Sequence, residues 1–207
     1  MKHCRFAVAL LIFICATVAV SFAGGKGKVL IIVRETSDDM KMMIENELMP
    51  IQAAILNAGF SIDIASESKT VLGSGGSTVK PDLKLSDVKV KDYVGVVVPC
   101  MAAGGTPKAL PAVAIEVVRQ ANAIGLPIAA QQSGVEILAK AGVLKGRKYA
   151  FVSGDQNLAP EGTYAGNGVV KDGTIITSGA CPFLHQAMGL KDGTAEMTEG
   201  FIEMVEL

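Results

Sequence analysis

The residues best placed to do chemistry lie where a short apolar strand pattern runs directly into a helical pattern, at residues 126–142 (LPIAAQQSGVEILAKAG). Gln132 and Ser133 stand at the turn between the two patterns, and Gly134 follows them. A tight strand-to-helix turn of this kind is typical of a nucleophile elbow, which presents a reactive side chain at the carboxyl edge of a sheet. The N-terminus of the following helix can lower a thiol pKa or stabilise an oxyanion. The segment therefore predicts a functional site at this turn.

The first 23 residues have the pattern of a secretory signal peptide. A positively charged start precedes an apolar run over residues 6–20, and small residues follow it up to Ala23. A single transmembrane anchor is the alternative, but the run is shorter than the ~20 residues that a bilayer requires. We expect a cleaved leader at residues 1–23, a single domain at residues 24–207, and a periplasmic or secreted protein with no membrane segment after cleavage.

Composition excludes several classes of site and partner. The 207 residues contain 19 Lys+Arg and 20 Asp+Glu, and this lack of a basic surplus argues against a nucleic-acid partner. The leader removes two of the four cysteines and one of the two histidines, which leaves Cys100, Cys181 and His185. A multi-histidine or multi-cysteine metal site is thereby excluded. The glycine-rich residues 73–76 lack the Lys-Ser/Thr pair of a phosphate-binding loop, so they predict a flexible loop and not a phosphate site. We expect no cofactor.

Strand and helix patterns alternate along the rest of the chain. Buried strands are predicted at residues 28–33, 60–65, 93–98, 126–130 and 175–178, with a minor strand at 149–152. Helices are predicted at residues 38–58, 111–124, 134–141, 183–188 and 198–206, and a hairpin or loop at 71–85. This alternation predicts an α/β fold with a doubly wound parallel sheet between two helical layers, in a single domain.

The order of these segments resembles the DJ-1/PfpI family, within the class I glutamine-amidotransferase-like group. The similar stretches are VLIIV at residues 29–33, AGFSIDIAS at 58–66, DYVGVVVP at 92–99 and VKDGTIITS at 170–178, together with the turn at 126–142. The resemblance implies a flavodoxin-like sheet, often in a homodimer. It also implies a pocket in which a glutamate near the first helix supports a cysteine on the elbow, sometimes with a histidine.

The family's catalytic residues do not carry over to this chain. The elbow cysteine falls on Gln132, and the histidine of some members falls near Phe151. The supporting glutamate matches Glu47, with Glu45 as its neighbour and rival. An amide is not a nucleophile, so we expect no cysteine-based peptidase, deglycase or glyoxalase-like chemistry. Gln132 either satisfies polar groups at the sheet edge, with a hydrogen bond to Glu47, or contacts a ligand in a retained pocket.

Ser133 could replace the missing nucleophile if the elbow were shifted by one residue. A serine nucleophile needs a base, and His185 is the one histidine outside the leader. The competing role of Ser133 is to cap the N-terminus of the following helix, as serine commonly does.

Cys100 and Cys181 should flank the elbow, because strand four lies between strands three and five in the flavodoxin order. A disulfide suits an exported protein, but those strands are two spacings apart, roughly 9.6 Å, and a disulfide needs Cα atoms within about 7 Å. A reactive thiol, a soft-metal site with His185, and two separate buried hydrophobic residues are the other readings.

The sequence thus predicts an exported DJ-1/PfpI-like protein that is non-catalytic at the usual site. It would act as a small-molecule-binding or stress-related accessory protein, with a small-molecule ligand and a second copy of itself as expected partners. The alternative is a hydrolase or thiol-redox protein that uses Ser133 or Cys100 and Cys181.

Overall fold

The computed structural model describes residues 25–35, 40–74, 76–101, 109–152 and 158–207. The predicted leader, residues 1–23, lies outside the described residues. Among the residues described, no helix combines the length and apolar character that crossing a membrane requires.

The described helices and strands follow the predicted alternation. The strands are β1 (Lys28–Ile32), β2 (Ser61–Ser66), β3 (Leu72–Ser74), β4 (Ser77–Val79), β5 (Leu83–Lys84), β6 (Gly95–Val98), β7 (Ile128–Gln131), β8 (Lys148–Tyr149), β9 (Thr163–Tyr164), β10 (Val169–Asp172) and β11 (Ile175–Ser178). The helices are α1 (Met40–Met43), α2 (Met49–Asn57), α3 (Ala112–Ala123), α4 (Ser133–Ala141), α5 (Pro182–Met188) and α6 (Thr194–Val205), and a π-helical segment (Ile44–Leu48) joins α1 to α2.

One seven-stranded sheet forms the centre of the molecule. Its order is β10-β11-β7-β6-β1-β2-β5, and every pair is parallel except the β10–β11 hairpin. The five long parallel strands therefore follow the flavodoxin order predicted from the sequence. The continuous apolar runs of β1 and β6 are buried along both faces, as strands covered by helices on two sides require.

Two apolar layers fill the space on either side of the sheet. One contains residues of α1, the π segment, α2 and α6, such as Met43, Ile51 and Phe201. The other contains residues of α3 and α4, such as Val118 and Leu138. The predicted three-layer, single-domain α/β architecture is confirmed.

Small elements differ from the sequence prediction. The region 71–85 contains the hairpin β3–β4 and also β5, which extends the main sheet beside β2. The minor strand predicted at 149–152 is shorter: β8 spans Lys148–Tyr149 and pairs with β9 in a separate two-stranded sheet. The last helix begins at Thr194, earlier than the predicted residue 198.

The first helical region departs from regular α-helix at the π segment. Pro50 is the second residue of α2, and proline has no N–H to donate while its ring clashes with the carbonyl four residues earlier, in the π segment. A π turn is one way for a helix to accommodate such an interruption, and π turns often occur at functional sites. Glu47 lies on this segment and is fully buried.

Candidate functional site

The turn between β7 and α4 has the geometry of a nucleophile elbow, with Gln132 at its apex. Gln132 has φ 42° and ψ −107°, a conformation that non-glycine residues rarely adopt. Gly134 allows the turn to pass close to β6, because a Cβ there would lie 2.1 Å from the carbonyl oxygen of Val98. The strained position that the elbow reserves for its functional residue is therefore occupied by an amide.

Both polar atoms of the Gln132 amide form hydrogen bonds to the backbone of Val152. Its Nε2 donates to the carbonyl oxygen of Val152 at 2.6 Å, and its Oε1 accepts from the Val152 N–H at 3.1 Å. The predicted hydrogen bond between Gln132 and Glu47 is wrong, because the two side chains take different partners. Gln132 instead holds the chain after β8 against the elbow.

Glu47, and not Glu45, faces the interior at this edge of the sheet. Its Oε1 accepts from the Cys100 N–H at 2.6 Å and its Oε2 from the Met101 N–H at 2.9 Å. Met101 has φ 45°, so the two successive N–H groups converge on the carboxyl group as in a backbone anion nest. Burial raises the pKa of Glu47 well above its usual range, and the nearby Cys100 raises it further. Glu45 is exposed and accepts a hydrogen bond from the Ser77 hydroxyl.

Cys100 and Cys181 meet at this edge of the sheet. Both are buried, neither forms a disulfide, and the Cys100 thiol donates a hydrogen bond to the Cys181 sulfur. The strand spacing that argued against a disulfide does not keep the two thiols apart, because Cys100 follows the end of β6 and Cys181 follows the end of β11. The structure shows no disulfide between them, and both cysteines are buried as expected, but they interact with each other instead of lying apart.

The hydrogen bonding makes the two thiols unequal. Donation to Cys181 raises the pKa of Cys100 well above its usual range, and burial raises it further. The pKa of Cys181 is lowered, chiefly by the hydrogen bond from Cys100 and also by the N–H groups of Phe183 and Leu184. Burial and the Glu47 charge oppose this lowering. Cys181 is therefore the sulfur that carries negative charge more readily.

Ser133 and His185 do not form a nucleophile–base pair. The Ser133 hydroxyl donates to the Cys100 carbonyl oxygen and lies 3.6 Å from the Cys100 sulfur. His185 is exposed, and its Nδ1 is 2.6 Å from the Leu190 carbonyl oxygen. The N-cap prediction is also wrong, because Ser133 is the first residue of α4 and Gln132 precedes it as the cap. Within the described ranges, no group of three metal-ligating side chains includes His185 or the cysteines.

Sequence reasoning missed a buried polar network beside the cysteines. Gln131 is fully buried, and its Nε2 donates to the Ala180 carbonyl oxygen at 2.7 Å. The Thr194 hydroxyl donates to Gln131 Oε1 at 3.1 Å and lies 2.7 Å from an oxygen of Asp192. These bonds fix the segment that leads into Cys181. The one available signal was a second glutamine next to Gln132, which did not stand out from its neighbour.

Arg34 is a second residue that the sequence analysis did not select. It follows β1 at the carboxyl edge of the sheet and is 4% exposed. Its Nε has no hydrogen-bond partner among the described residues. Burial raises the pKa of the nearby Glu136 on α4, and the positive charge of Arg34 partly opposes that rise. An arginine directly after an apolar strand was the available sequence signal.

The central parallel sheet and the strained turn at its carboxyl edge define a doubly wound α/β protein of the nucleophile-elbow class. The chain belongs to the DJ-1/PfpI family, whose model matches residues 27–188.

Two curated relatives align over 125 residues, or 58% of this chain. A protein from Archaeoglobus fulgidus, described as uncharacterized, is 37% identical over 73% of its own length. The protein named deglycase PfpI from Pyrococcus furiosus is 34% identical over 74% of its length.

Solved structures share the fold at lower identity. A ThiJ/PfpI domain protein from Brachyspira murdochii has a TM-score of 0.67 at 15% identity, over 88% of this chain and 97% of that one. DJ-1beta from Drosophila melanogaster has a TM-score of 0.58 at 20% identity, over 87% of this chain and 98% of that one.

Proposed function

We propose that this protein is an exported member of the DJ-1/PfpI family that does not use its elbow for nucleophilic catalysis. It binds a small anionic molecule at the carboxyl edge of the sheet and acts as an accessory protein, with a role in stress as the expected setting. The observation that carries the proposal is the amide at the elbow. Gln132 stands in the strained position, and its amide nitrogen and oxygen both hydrogen-bond to the Val152 backbone.

The chemistry of this site differs from that expected of a deglycase, the name carried by the relative from Pyrococcus furiosus. Covalent capture of a carbonyl compound needs a nucleophile, and an amide nitrogen is not one. The neighbouring Ser133 hydroxyl is committed to the Cys100 carbonyl, and it has no histidine as its base among the described residues. Glu47 is likewise bonded to backbone N–H groups of residues 100 and 101.

Arg34 supports binding of an anion at the same edge. Ligands of doubly wound sheets bind outside the carboxyl ends of the strands, near the point where the strand order reverses. Arg34 follows β1, which borders that point, and its buried Nε lacks a partner among the described residues. Leaving a buried donor unsatisfied costs about 1–3 kcal/mol. A carboxylate or phosphate group of a ligand would remove that cost and suit the planar guanidinium.

An activity assay tests the loss of elbow chemistry. The purified protein is incubated with small aldehydes, glycated amines and peptides, beside a Gln132→Ala variant. We expect no turnover above the rate without enzyme for either protein. Turnover by the wild-type protein that disappears in the Gln132→Ala variant would overturn the proposal.

A thermal-shift screen with small carboxylates and phosphates tests the binding role. We expect at least one compound to raise the Tm of the wild-type protein and to leave the Tm of Arg34→Met unchanged. Arg119→Met is the matched control, because Arg119 is exposed and pairs with Glu116 on the same helix; it should keep the full shift. Equal shifts in the wild-type protein and Arg34→Met would contradict the role of Arg34.

Export and dimerisation are tested on the protein produced in a bacterial host. We expect N-terminal sequencing of the exported form to begin at Gly24, after cleavage at Ala23. Light scattering of the same material should give twice the mass of the chain. An uncleaved protein retained in the cytoplasm would contradict the export proposal, and a monomer would contradict the dimer.

A further inference from the structure

We propose that Cys100 and Cys181 form a peroxide-responsive dithiol, which a small peroxide converts to an intramolecular disulfide with Cys181 as the attacking sulfur. This activity goes beyond the proposed ligand binding, because it needs neither Gln132 nor Arg34. The proposed dithiol is also separate from the elbow, where the family places its cysteine, because the elbow residue of this chain is Gln132.

Direct contact between the two thiols is the first observation. Cys100 and Cys181 lie within hydrogen-bonding contact of each other in the same buried layer, and neither forms a disulfide. The partner needed to complete a disulfide is therefore already in place.

The surroundings of the two sulfurs assign their roles. The Cys181 sulfur accepts hydrogen bonds from the Cys100 thiol and from the N–H groups of Phe183 and Leu184. These three donors stabilise a thiolate, which is the nucleophilic form of cysteine. Cys100 keeps its proton, because it is the donor in the shared hydrogen bond. Cys181 is thus the attacking sulfur, and Cys100 is the resolving thiol.

A cavity beside Cys181 gives a small oxidant an approach. It has a volume of about 300 Å³ and is lined by Met42, Asn46, Pro182, His185, Gln186 and Asp192. Pro182 directly follows Cys181, and Asp192 is close enough to raise the pKa of Glu47. Since the sulfurs themselves are buried, the site should admit a peroxide and discriminate against bulky disulfides.

The reaction balances in two steps. The Cys181 thiolate attacks one oxygen of hydrogen peroxide, so that an S–O bond forms, the O–O bond breaks, and hydroxide leaves and takes a proton to become water. The Cys100 sulfur then attacks the sulfenic sulfur: the S–S bond forms, the S–O bond breaks, and the departing hydroxide takes the Cys100 proton as a second water. The two thiols lose two electrons and the peroxide gains them.

Mass spectrometry of the native protein tests the proposal. The reduced protein is treated with hydrogen peroxide, quenched and digested without reduction. We expect a protein lighter by two hydrogen atoms, a disulfide that joins the peptides containing Cys100 and Cys181, and full reversal by dithiothreitol. Two thiols that stay unmodified until the protein is unfolded, or oxygenated cysteines without a disulfide, would overturn the proposal.

Two single variants test the assignment of roles. In Cys100→Ser, sulfenic acid should accumulate on Cys181 and be trapped by dimedone, because the resolving thiol is missing. In Cys181→Ser, the remaining Cys100 should react at least about tenfold more slowly than Cys181 does in Cys100→Ser, since burial disfavours the Cys100 thiolate even though Ser133 donates to that sulfur. Equal rates, or the reverse order, would overturn the assignment. If a variant fails to fold, the peptide mapping of the wild-type protein still decides whether the disulfide forms.

The same samples separate this proposal from the proposed function. Gln132→Ala and Arg34→Met should both form the disulfide as the wild-type protein does, because no described hydrogen bond joins either side chain to a sulfur. Loss of ligand shifts in Arg34→Met with retained disulfide formation supports both proposals independently. Absence of the disulfide in the wild-type protein refutes the dithiol without affecting the ligand test.

Discussion

Gln132 shows how one side chain changes the chemistry of an otherwise retained turn. The elbow keeps its positive φ and its close approach through Gly134, yet the residue at its apex bonds to the Val152 backbone on both sides of its amide. A strained backbone conformation persists where surrounding contacts over-determine it. Here those contacts are the side-chain bonds to Val152.

We expect Gln132→Glu to destabilise the protein by about 1–3 kcal/mol at neutral pH. A carboxylate oxygen in place of the amide Nε2 would face the Val152 carbonyl oxygen and leave it without a donor. Urea denaturation would measure the change. Gln186→Glu, at an exposed position of α5, is the control and should change stability by less than about 0.5 kcal/mol. Equal effects of the two substitutions would show that the bonds to Val152 contribute little.

At the scale of elements, the π segment and the elbow bring their functional groups to the same edge of the sheet. The π segment carries Glu47 inward to the backbone after β6, and the elbow carries Ser133 to the same stretch. The helix pattern around residue 47 was predictable, because Met43, Leu48, Ile51 and Ile55 follow helical spacing and all are buried. The π turn was not predictable, because one extra residue in a single helical turn leaves the spacing of the apolar residues almost unchanged.

The buried Glu47 should make stability depend on pH. The pKa of Glu47 is raised in the folded protein, so protonated Glu47 favours the fold. This contribution is complete below the pKa of a glutamate in the unfolded chain, and it is lost as the pH rises through the pKa of Glu47 in the folded protein. In Glu47→Gln this dependence is absent. We expect the Tm deficit of Glu47→Gln relative to the wild-type protein to be largest near pH 4–5 and to shrink toward pH 9.

Thermal unfolding of both proteins across that pH range checks the prediction. Glu45→Gln is the matched control on the same helical segment, and its exposed side chain should leave the Tm nearly unchanged at neutral pH. A deficit for Glu47→Gln that grows as the pH rises would contradict the assignment of a raised pKa.

Gly134→Ala should disrupt the packing of α4 against β6. The added Cβ would lie 2.1 Å from the Val98 carbonyl oxygen, a backbone atom that cannot turn aside. We expect a loss of at least about 2 kcal/mol, from overpacking of a rigid contact. Gly168→Ala is the control, since a Cβ there meets nothing within 4 Å. Chemical denaturation that gave the same stability for both variants would refute the close approach.

At the scale of the whole molecule, the C-terminal helix completes the layer that covers one face of the sheet. α6 packs against α2, β7 and β11 and lies beyond residue 188, where the family match ends. Its Phe201 is fully buried and belongs to the same apolar layer as Cys100 and Cys181. We therefore expect the stability of the layer that holds the two cysteines to depend on α6.

Phe201→Ala should therefore destabilise the protein by about 3–5 kcal/mol, as is usual for removing a buried aromatic side chain. Urea denaturation measures this loss, with Glu203→Ala on the exposed face of α6 as the control. A change below about 1 kcal/mol for Phe201→Ala would show that α6 is not part of the folded core.

The sequence by itself determined the strand order, the three layers and the position of the elbow, because apolar periodicity, turn glycines and family motifs are local signals. It also determined that Gln132 lacks nucleophilic chemistry, since that follows from residue type. Only the tertiary structure decided that Glu47 faces inward, that Gln132 bonds to Val152, and that Cys100 contacts Cys181 while His185 stays outside. Those outcomes depend on loops beyond the strand ends, where side-chain contacts between distant segments follow no sequence period.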